Sequence, residues 1–476
     1  MSVLAQVATL AAAALALAQP VADPAARELT CQLTGMHTFT WDGGGGDGLW
    51  TTAANWVGDV APGIGDGSDG YVCIDAGRTV TYDAANGWKV NLQAIDLAAG
   101  TTLVIELGTK IYVHGDQATR PSAIRSGATI QLNGVLGGEG LVQVDGTVNW
   151  QSGTGPTTAS TIVTRDCDLN AGTAPCGRAP AIPGRMVLGD GGVLNVNGHG
   201  VNLEDSYQLE VRGSVVLSNL GYVAADRGTG LTLLPKSVGP GLGQLVVTNN
   251  GGWYEGRTHY GITTLSQFVN GGLIRKSAGA QSSTIDAAYS RTGAGTAQVD
   301  AGVLALPDGA VHAVTVAPGS TYGHGVCATQ GYACIPVADA LDKQASLVRI
   351  PGTEPGGVSL EVQNMNEPGQ PGIFGKPVRV AVTDLSTTSA NPVILSLRYD
   401  KSLVGAKTVA DVKVLRRADS ATTYALVPAC KTNGVPPSGL SCVDRRGIAG
   451  VSSRKLSDGD ILMVVRTTQF SRWMAR

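Results

Sequence analysis

Charged residues are scarce in this chain. They make up 15% of its 476 residues, and the formal net charge is −3. Without a surplus of Lys and Arg there is no electrostatic basis for binding nucleic acid, and no basic run indicates attachment to a membrane surface. The chain also lacks the excess of Glu, Lys and Leu that is typical of helical proteins, and it contains only 4 Phe. The composition therefore disfavours a mainly helical fold.

The familiar catalytic signatures are missing as well. The sequence contains no H-E-x-x-H, no G-x-S-x-G, no P-loop and no G-x-G-x-x-G after a strand-like segment. It has no C-x-x-C, and the single close Cys–His pair, Cys327 with His324, is isolated. We therefore predict no cofactor and no structural metal site built on cysteine.

Glycine is what the chain has in excess, with 66 residues, roughly twice the usual share of about 7%. Short units recur in which a Gly or Asn turn precedes a few alternating β-formers, as in residues 268–276, 295–300 and 302–306. One such unit cannot bury its own apolar face, so copies must stack on one another. This pattern favours an all-β solenoid, and a β-sandwich is the alternative that short strands leave open.

The rhythm of the units divides the chain into segments. Strand-like units run from Thr79 to about residue 325, and a turn-rich stretch follows at 367–372. Longer alternating strands come after it, such as 378–382, 393–399 and 461–465. The predicted organisation is a Trp- and Gly-rich cap at 27–78, a β-solenoid at 79–325, a transition and linker at 326–375, and a β-sandwich at 376–476.

Export is predicted from two features. An uncharged Ala/Leu/Val run near the start, ending in small residues, is typical of a signal peptide, which we assign to residues 1–26. Cysteine occurs eight times, an even number that is typical of a disulfide framework in a secreted protein. The simplest pairing joins sequence neighbours. It would link Cys31 with Cys73, Cys167 with Cys176, Cys327 with Cys334, and Cys430 with Cys442.

Several of these stretches resemble known proteins. The run from Trp41 to Trp50, with Ala54-Asn55-Trp56, is similar to a segment near the start of many large secreted bacterial repeat proteins. Residues 145–150 and 268–306 resemble repeat units of bacterial adhesin-type and autotransporter-passenger-type β-helices. The ending at 458–473 resembles a small β-domain that closes many secreted, especially actinobacterial, proteins. The resemblance covers roughly residues 38–320 and implies a right-handed parallel β-helix with a secreted or cell-surface role.

The segment 253–260 is the best candidate for a functional site, because it concentrates aromatic residues in a chain that is only 5% aromatic. Flat rings stack on sugar faces, and Arg and Glu can hydrogen-bond hydroxyl groups. The binding candidates are Trp253, Tyr254, Glu255, Arg257 and Tyr260. On a polysaccharide-cleaving β-helix, Arg257, His259 or Tyr260 could act as acid or base. The alternative is a loop whose rings pack on the flank of the solenoid.

Three other groups of polar residues suggest either a site or a structural role. Glu204, Asp205 and Glu210 lie on adjacent units and suggest paired carboxylates, although solvated charges explain them equally well. Carboxylates in the Gly-rich loops suggest a calcium site without matching a known calcium motif. These are Asp42, Asp47, Asp66 and Asp69. A set of asparagines is expected to satisfy backbone groups at turns. These are Asn195, Asn197, Asn202 and Asn219.

The sequence therefore predicts a secreted structural or adhesive β-solenoid, without a membrane span in the mature chain, that contacts polysaccharide or other surface and matrix components. Two alternatives remain. One is a polysaccharide lyase or glycoside hydrolase on the same scaffold, since a fold does not decide a function. The other is a carbohydrate-binding module with the aromatic segment as its platform.

Overall fold

The structure is a computed structural model. The ranges that it describes are 37–63, 70–83, 89–115, 121–151, 160–164, 183–198, 200–219, 221–226, 228–255, 266–293, 295–307, 312–324, 344–354, 357–365, 372–383, 385, 388, 390–431, 434–436, 441–448, 452–456 and 459–476.

The regular secondary structure of the described residues is almost entirely β-strand, which confirms the predicted all-β class. The first three strands are β1 (Thr38–Thr40), β2 (Gly70–Ile74) and β3 (Thr79–Tyr82). The next group is β4 (Lys89–Leu97), β5 (Thr102–Ile105), β6 (Lys110–Val113), β7 (Ser122–Ile124), β8 (Thr129–Leu132), β9 (Val135–Gly137), β10 (Leu141–Val144), β11 (Thr147–Gln151), β12 (Thr161–Val163), β13 (Arg185–Leu188), β14 (Val193–Asn197), β15 (Val201–Glu204), β16 (Gln208–Val211), β17 (Ser214–Ser218), β18 (Val223–Ala225), β19 (Gly230–Leu233), β20 (Gln244–Val247), β21 (Trp253–Glu255), β22 (Gln267–Asn270), β23 (Leu273–Lys276), β24 (Ser282–Thr284), β25 (Ala288–Arg291), β26 (Thr296–Val299), β27 (Val303–Leu306), β28 (His312–Val316) and β29 (Thr321–His324).

The last group of strands is β30 (Gln344–Arg349), β31 (Val358–Asn364), β32 (Phe374–Thr383), β33 (Val393–Tyr399), β34 (Val414–Arg417), β35 (Ala425–Leu426), β36 (Cys442–Val443), β37 (Arg454–Lys455), β38 (Ile461–Thr467) and β39 (Ser471–Ala475). Helical structure in the described ranges is limited to a 3₁₀ turn at Ala53–Asn55 and one short α-helix, α1 (Lys401–Val404). No helix in these ranges has the length and apolar character that a membrane crossing needs.

Parallel pairing joins every third strand between β4 and β26. One ladder runs through β4, β7, β10, β13, β16, β19, β22 and β25, and a second runs from β3 through β5, β8, β11, β14, β17, β20, β23, β26 and β28. A third ladder runs through β6, β9, β12, β15, β18 and β21, and it approaches β24 through a parallel bridge between Trp253 and Ile285. The chain therefore places one strand in each ladder before it returns to the first.

Alternation along each strand builds the core. On the second ladder, the same inward position carries an aliphatic side chain in strand after strand, with almost no exposure to solvent. Its members are Ile130, Val148, Leu194, Val215, Leu245, Ile274, Ala297 and Val314. Burial of one Val, Leu or Ile side chain stabilises a fold by about 1.5–3 kcal/mol. The inward side chains of all three ladders belong to one continuous hydrophobic core.

A column of small residues forms the corner that precedes each strand of the second ladder from β8 to β26. We call it the corner column, and its members are Ala128, Gly146, Gly192, Gly213, Gly243, Gly272 and Gly295. The residue after each corner donates its N–H to the carbonyl of the corner one turn earlier, as in Ser214 N to Gly192 O at 2.9 Å. A Cβ on Gly213 would lie 2.0 Å from that same carbonyl oxygen. At this glycine the backbones pass too closely for a side chain to fit between them.

Three tryptophans cover the first strand of the second ladder. Trp41, Trp50 and Trp56 are each at most 4% exposed, and the Trp56 ring packs edge-on against both of the others. The Trp50 indole donates to the carbonyl of Pro62, and the Trp56 indole donates to the carbonyl of Trp50. Leu49 pairs in parallel with Thr81 of β3. This segment therefore pairs with and covers the strand at which the ladder begins.

The parallel ladders continue into antiparallel strands. β31 pairs with β28 and β30 pairs with β29, in both cases antiparallel. The second ladder then extends through β32, β39, β34 and β35, and the third through β33, β38 and β36. The sequence predicts the range 326–375 as a transition and linker. This range contains two paired strands, β30 and β31, because the alternation of inward and outward residues at 358–362 continues the sheet.

The disulfide predicted between Cys430 and Cys442 is present. Cys73 is also disulfide-bonded, and its partner lies outside the described residues. The other predicted pairs fall outside those ranges too, so they stay predictions. They involve Cys31, Cys167, Cys176, Cys327 and Cys334.

An ion cluster lies close to the Cys430–Cys442 disulfide. The Asp444 carboxylate, fully buried, accepts hydrogen bonds from the guanidinium groups of Arg446 and Arg466, the shortest at 2.7 Å. Burial alone would raise the pKa of Asp444, but the hydrogen bonds from Arg446 and Arg466 outweigh it and lower the pKa to about 2. The cluster therefore stabilises the fold only while Asp444 is ionised.

Two neighbouring glycines test the corner column. A Cβ at Gly192 would lie 2.1 Å from the carbonyl oxygen of Val144, whereas a Cβ at Gly191 would lie 3.7 Å from its nearest neighbour. We expect Gly192→Ala to lower the free energy of unfolding by about 1–3 kcal/mol through overpacking. Gly191→Ala should change it by less than about 0.5 kcal/mol, as is usual for surface substitutions. Urea unfolding followed by circular dichroism measures both, and equal stabilities would contradict the close backbone contact.

The Asp444 cluster gives a pH-dependent prediction. Because the folded pKa of about 2 lies below the ordinary 3.8, this contribution is complete above about pH 4 and is lost as the pH falls towards 2. We expect Asp444→Asn to cost about 3 kcal/mol at neutral pH, because it breaks a buried ion pair. The variant should also lose less stability than the wild type between about pH 4 and 2, and a parallel loss in both would contradict this account.

Candidate functional site

The predicted aromatic segment begins on β21, where neighbouring residues face opposite sides. Trp253 faces inward, is fully buried and packs edge-on against Phe268, with ring centroids 6.0 Å apart. An enclosed indole presents no ring face to a ligand. The prediction that Trp253 stacks on a sugar is therefore corrected, because the alternation of the strand turns this ring into the core.

Tyr254 lies on the outward side of β21 and is half-buried. Its ring meets that of Tyr222 edge-on, with centroids 5.6 Å apart. The backbone of Glu255 pairs with Ala225, and its side chain is not among the described ones. The remaining candidates of this segment, Arg257, His259 and Tyr260, lie outside the described residues and stay predictions. Tyr254 is thus the candidate whose position the structure shows at the surface.

The paired carboxylates have separate structural partners. Arg185 and Glu210 form a two-pronged ion pair, with contacts of 2.6 and 2.7 Å. Glu204 lies one strand earlier, and burial raises its pKa, with a smaller upward contribution from Asp205 that is opposed by a hydrogen bond from Asn202. A carboxylate held by a guanidinium group is not free to act as a nucleophile or base. Glu210 therefore stabilises the sheet.

The Asp residues of the first Gly-rich loop also bind protein groups. Asp47 accepts hydrogen bonds from Leu49 N, Thr52 Oγ1 and Asn55 Nδ2. The bond from Thr52, followed by those from Leu49 and Asn55, lowers the pKa of Asp47. Asp42 accepts from Gly44 N, whereas Asp66 and Asp69 lie outside the described residues. Within the part of the chain that the structure describes, no three His, Cys, Asp or Glu side chains converge as metal ligands.

Three of the four asparagines that the sequence predicts at turns lie on strands instead, Asn195 and Asn197 on β14 and Asn202 on β15. Asn195 on β14 donates from Nδ2 to Oδ1 of Asn149 on β11, at 2.9 Å. Asn219 donates in the same way to Oδ1 of Asn197, at 2.8 Å. Stacked amide groups of this kind form ladders along parallel sheets. Asn149 belongs to such a ladder, although it is not among the asparagines that the sequence singles out.

Two rows of outward polar side chains run along the second ladder. A hydroxyl row is formed by Thr79, Thr102, Thr129 and Thr147, which occupy one register position on β3, β5, β8 and β11. An amide row is formed by Gln131, Asn149 and Asn195 on β8, β11 and β14. All seven side chains are partly or fully exposed. We call these two rows the polar face.

The polar face offers regularly spaced hydrogen-bonding groups. Neighbouring strands lie about 4.8 Å apart, so each row repeats at that interval. Amide side chains supply both donors and acceptors, and hydroxyl groups supply either. The register could have been found from the sequence by aligning 129–132 with 147–150, which share a Thr, an aliphatic residue and an amide in the same order.

Trp253 and Tyr254 differ in the role that the structure gives them. We expect Trp253→Ala to lower the free energy of unfolding by about 3–5 kcal/mol, the usual cost of removing a buried Trp. Tyr254→Ala should cost clearly less, because its ring is only half-buried. Thermal or urea unfolding of the two variants measures the difference. A Trp253→Ala variant as stable as the wild type would contradict the core position of the indole.

Comparison with known proteins identifies no relative of this chain. The chain matches no protein-family model, no curated protein and no solved structure.

Proposed function

We propose that the three ladders close into one right-handed parallel β-helix and that residues 376–476 form a small β-sandwich at its end. Two observations support closure: the strands recur in triplets, and the inward side chains of all three ladders share one core. The hand is supported by the general rule that connections between parallel strands of one sheet are right-handed. Such a helix is a rigid rod with a long outer surface.

The protein acts outside the cytosol, secreted or held at the cell surface. The disulfide between Cys430 and Cys442 and the oxidised state of Cys73 support this location. Disulfides persist in oxidising compartments, whereas the cytosol keeps most thiols reduced. The resemblance of the repeat units to secreted bacterial β-helices points the same way.

Its function is structural and adhesive: it holds polysaccharide on the polar face without cleaving it. The observation that carries this proposal is the pair of in-register rows on consecutive strands of the second ladder. A sugar chain presents hydroxyl groups that need both donors and acceptors, which these rows supply. Because the sheet fixes the spacing of the rows and Asn149 and Asn195 already bind each other, little side-chain freedom is lost on binding.

Tyr254 offers a second contact on the third ladder. Its half-buried ring and the neighbouring Tyr222 ring form a small aromatic surface. Aromatic rings pack on the apolar faces of sugars, while hydroxyl groups of the sugar reach the polar rim. In this proposal Tyr254 adds affinity for the sugar, and the polar face gives the preference for an extended polysaccharide chain.

A polysaccharide panel tests the proposal. The mature protein is run through gels that contain each polysaccharide, and its retardation gives an affinity. We expect the double variant Gln131→Ala/Asn149→Ala to bind at least about 10-fold more weakly, because two hydrogen bonds of about 1 kcal/mol each are lost. Gln244→Ala is the matched control, since Gln244 faces outward on the same ladder but lies outside the polar face.

The same samples are assayed for new reducing or unsaturated ends. Retardation that is lost in the double variant but kept in the Gln244→Ala control would support the proposal. Release of new ends by the wild-type protein would instead make the chain a polysaccharide-cleaving enzyme. Equal retardation of the wild type and the double variant, or none by any polysaccharide, would contradict binding on the polar face.

A further inference from the structure

An arginine lies on the outer side of the second ladder, in line with the amide row. Arg275 of β23 is in register with Val246 of β20, and Val246 is in register with Val216 of β17. Val216 is in turn in register with Asn195, the last member of the amide row. Three strand spacings of about 4.8 Å therefore place the Cα atoms of Asn195 and Arg275 about 14 Å apart. We call this row of outward positions the register line.

An ion pair positions the guanidinium group of Arg275. Its Nε donates a hydrogen bond to Oδ2 of Asp300 at 2.7 Å. The other carboxylate oxygen of Asp300, Oδ1, accepts from Nε2 of Gln298 at 2.7 Å, and Gln298 is the next member of the register line. Because Asp300 is itself held by Gln298, the ion pair keeps the guanidinium group beside the line.

The terminal nitrogens of Arg275 are accessible to a ligand. The side chain is 44% exposed, and neither Nη1 nor Nη2 makes a hydrogen bond in the part of the chain that the structure describes. Two neighbouring N–H groups of a guanidinium can bind two oxygens of one carboxylate or sulfate group side by side. Asp300 contacts the Nε end, so the Nη1 and Nη2 groups are left for a second anionic group.

Two valines separate Arg275 from the amide row. Val216 and Val246 face outward and are half-buried. They offer no hydrogen bonds, but their aliphatic side chains can cover the apolar face of a sugar ring. A sugar chain on the register line would therefore pass from the amide groups, over an apolar step, to the guanidinium group.

Polar side chains resume on the far side of Arg275. Gln298, Thr315, Ser359 and Thr383 occupy the next positions of the register line, on β26, β28, β31 and β32. All four are partly or fully exposed. Arg275 is the one charged side chain among the described members of the line from Gln131 to Thr383. A charge on a bound chain would meet its partner at this position.

We propose that the polysaccharide held on the polar face is acidic and that Arg275 binds its carboxylate or sulfate groups. This inference rests on the binding proposed for the polar face. The amide row holds the hydroxyl groups of the chain, and Arg275 determines the preference for charge. A neutral polysaccharide would make the same contacts with the amide row but would leave the terminal nitrogens of Arg275 in water.

Two pairs of polysaccharides that differ only in charge test this proposal. The carboxylate pair is polygalacturonate and its methyl ester, and the sulfate pair is a sulfated galactan and its desulfated form. Isothermal titration calorimetry with the full-length protein gives the affinity for each. We expect the charged member of at least one pair to bind at least about 10-fold more tightly than its neutral counterpart, because a two-pronged, charge-assisted contact is added. The pair that shows this preference identifies the anionic group.

Two variants assign the preference to Arg275. Arg275→Gln should abolish it and leave the affinity for the neutral member unchanged. Arg349→Gln is the matched control, because it removes an exposed arginine on β30, in a different sheet, and should keep the preference. A preference that persists in Arg275→Gln would overturn the assignment.

The results also separate this inference from the one on which it rests. Equal binding of charged and neutral members by the wild type, still lost in Gln131→Ala/Asn149→Ala, would overturn the role of Arg275 and leave the polar face as the binding surface. Absence of binding to all four polysaccharides would overturn both.

Discussion

The close approach of backbones at the corner column is the constraint on which the other features depend. Each corner residue brings its carbonyl within hydrogen-bonding distance of the next turn, and at the glycine corners that distance leaves no space for a Cβ. Because the corner fixes where each strand of the second ladder begins, it also fixes the register of every residue that follows. A slip of one residue would turn the aliphatic core column to solvent and the polar rows into the core.

The register has consequences on both sides of the sheet. On the inside it stacks aliphatic residues into one core. On the outside it lines up hydroxyl and amide groups that lie far apart in the sequence. Asn149 and Asn195 are separated by 46 residues and yet share a hydrogen bond. One backbone contact thus underlies both the core and the polar face.

The sequence indicates the class of the fold because each corner glycine directly precedes an alternating strand, as Gly272 precedes β23. It does not show the register, because segments of unequal length separate the strands. Without the register, the two rows of the polar face could not be predicted from the sequence. It also could not assign Trp253 and Tyr254 to opposite sides, since composition marks a region as aromatic without showing which ring faces inward. The continuation of the ladders into β30 and β31 was missed because nearby Gly- and Pro-rich turns suggested a linker.

The most direct test of this account is the distance along the second ladder. Thr129 and Thr296 occupy the same outward position on β8 and β26, with five strands between them. Six strand spacings of about 4.8 Å separate their Cα atoms by about 29 Å. Nitroxide labels at these two positions, measured by pulsed electron paramagnetic resonance, should give a single narrow distribution near that distance once the label length is included. A broad distribution, or one centred far from it, would contradict the in-register stacking of the coils.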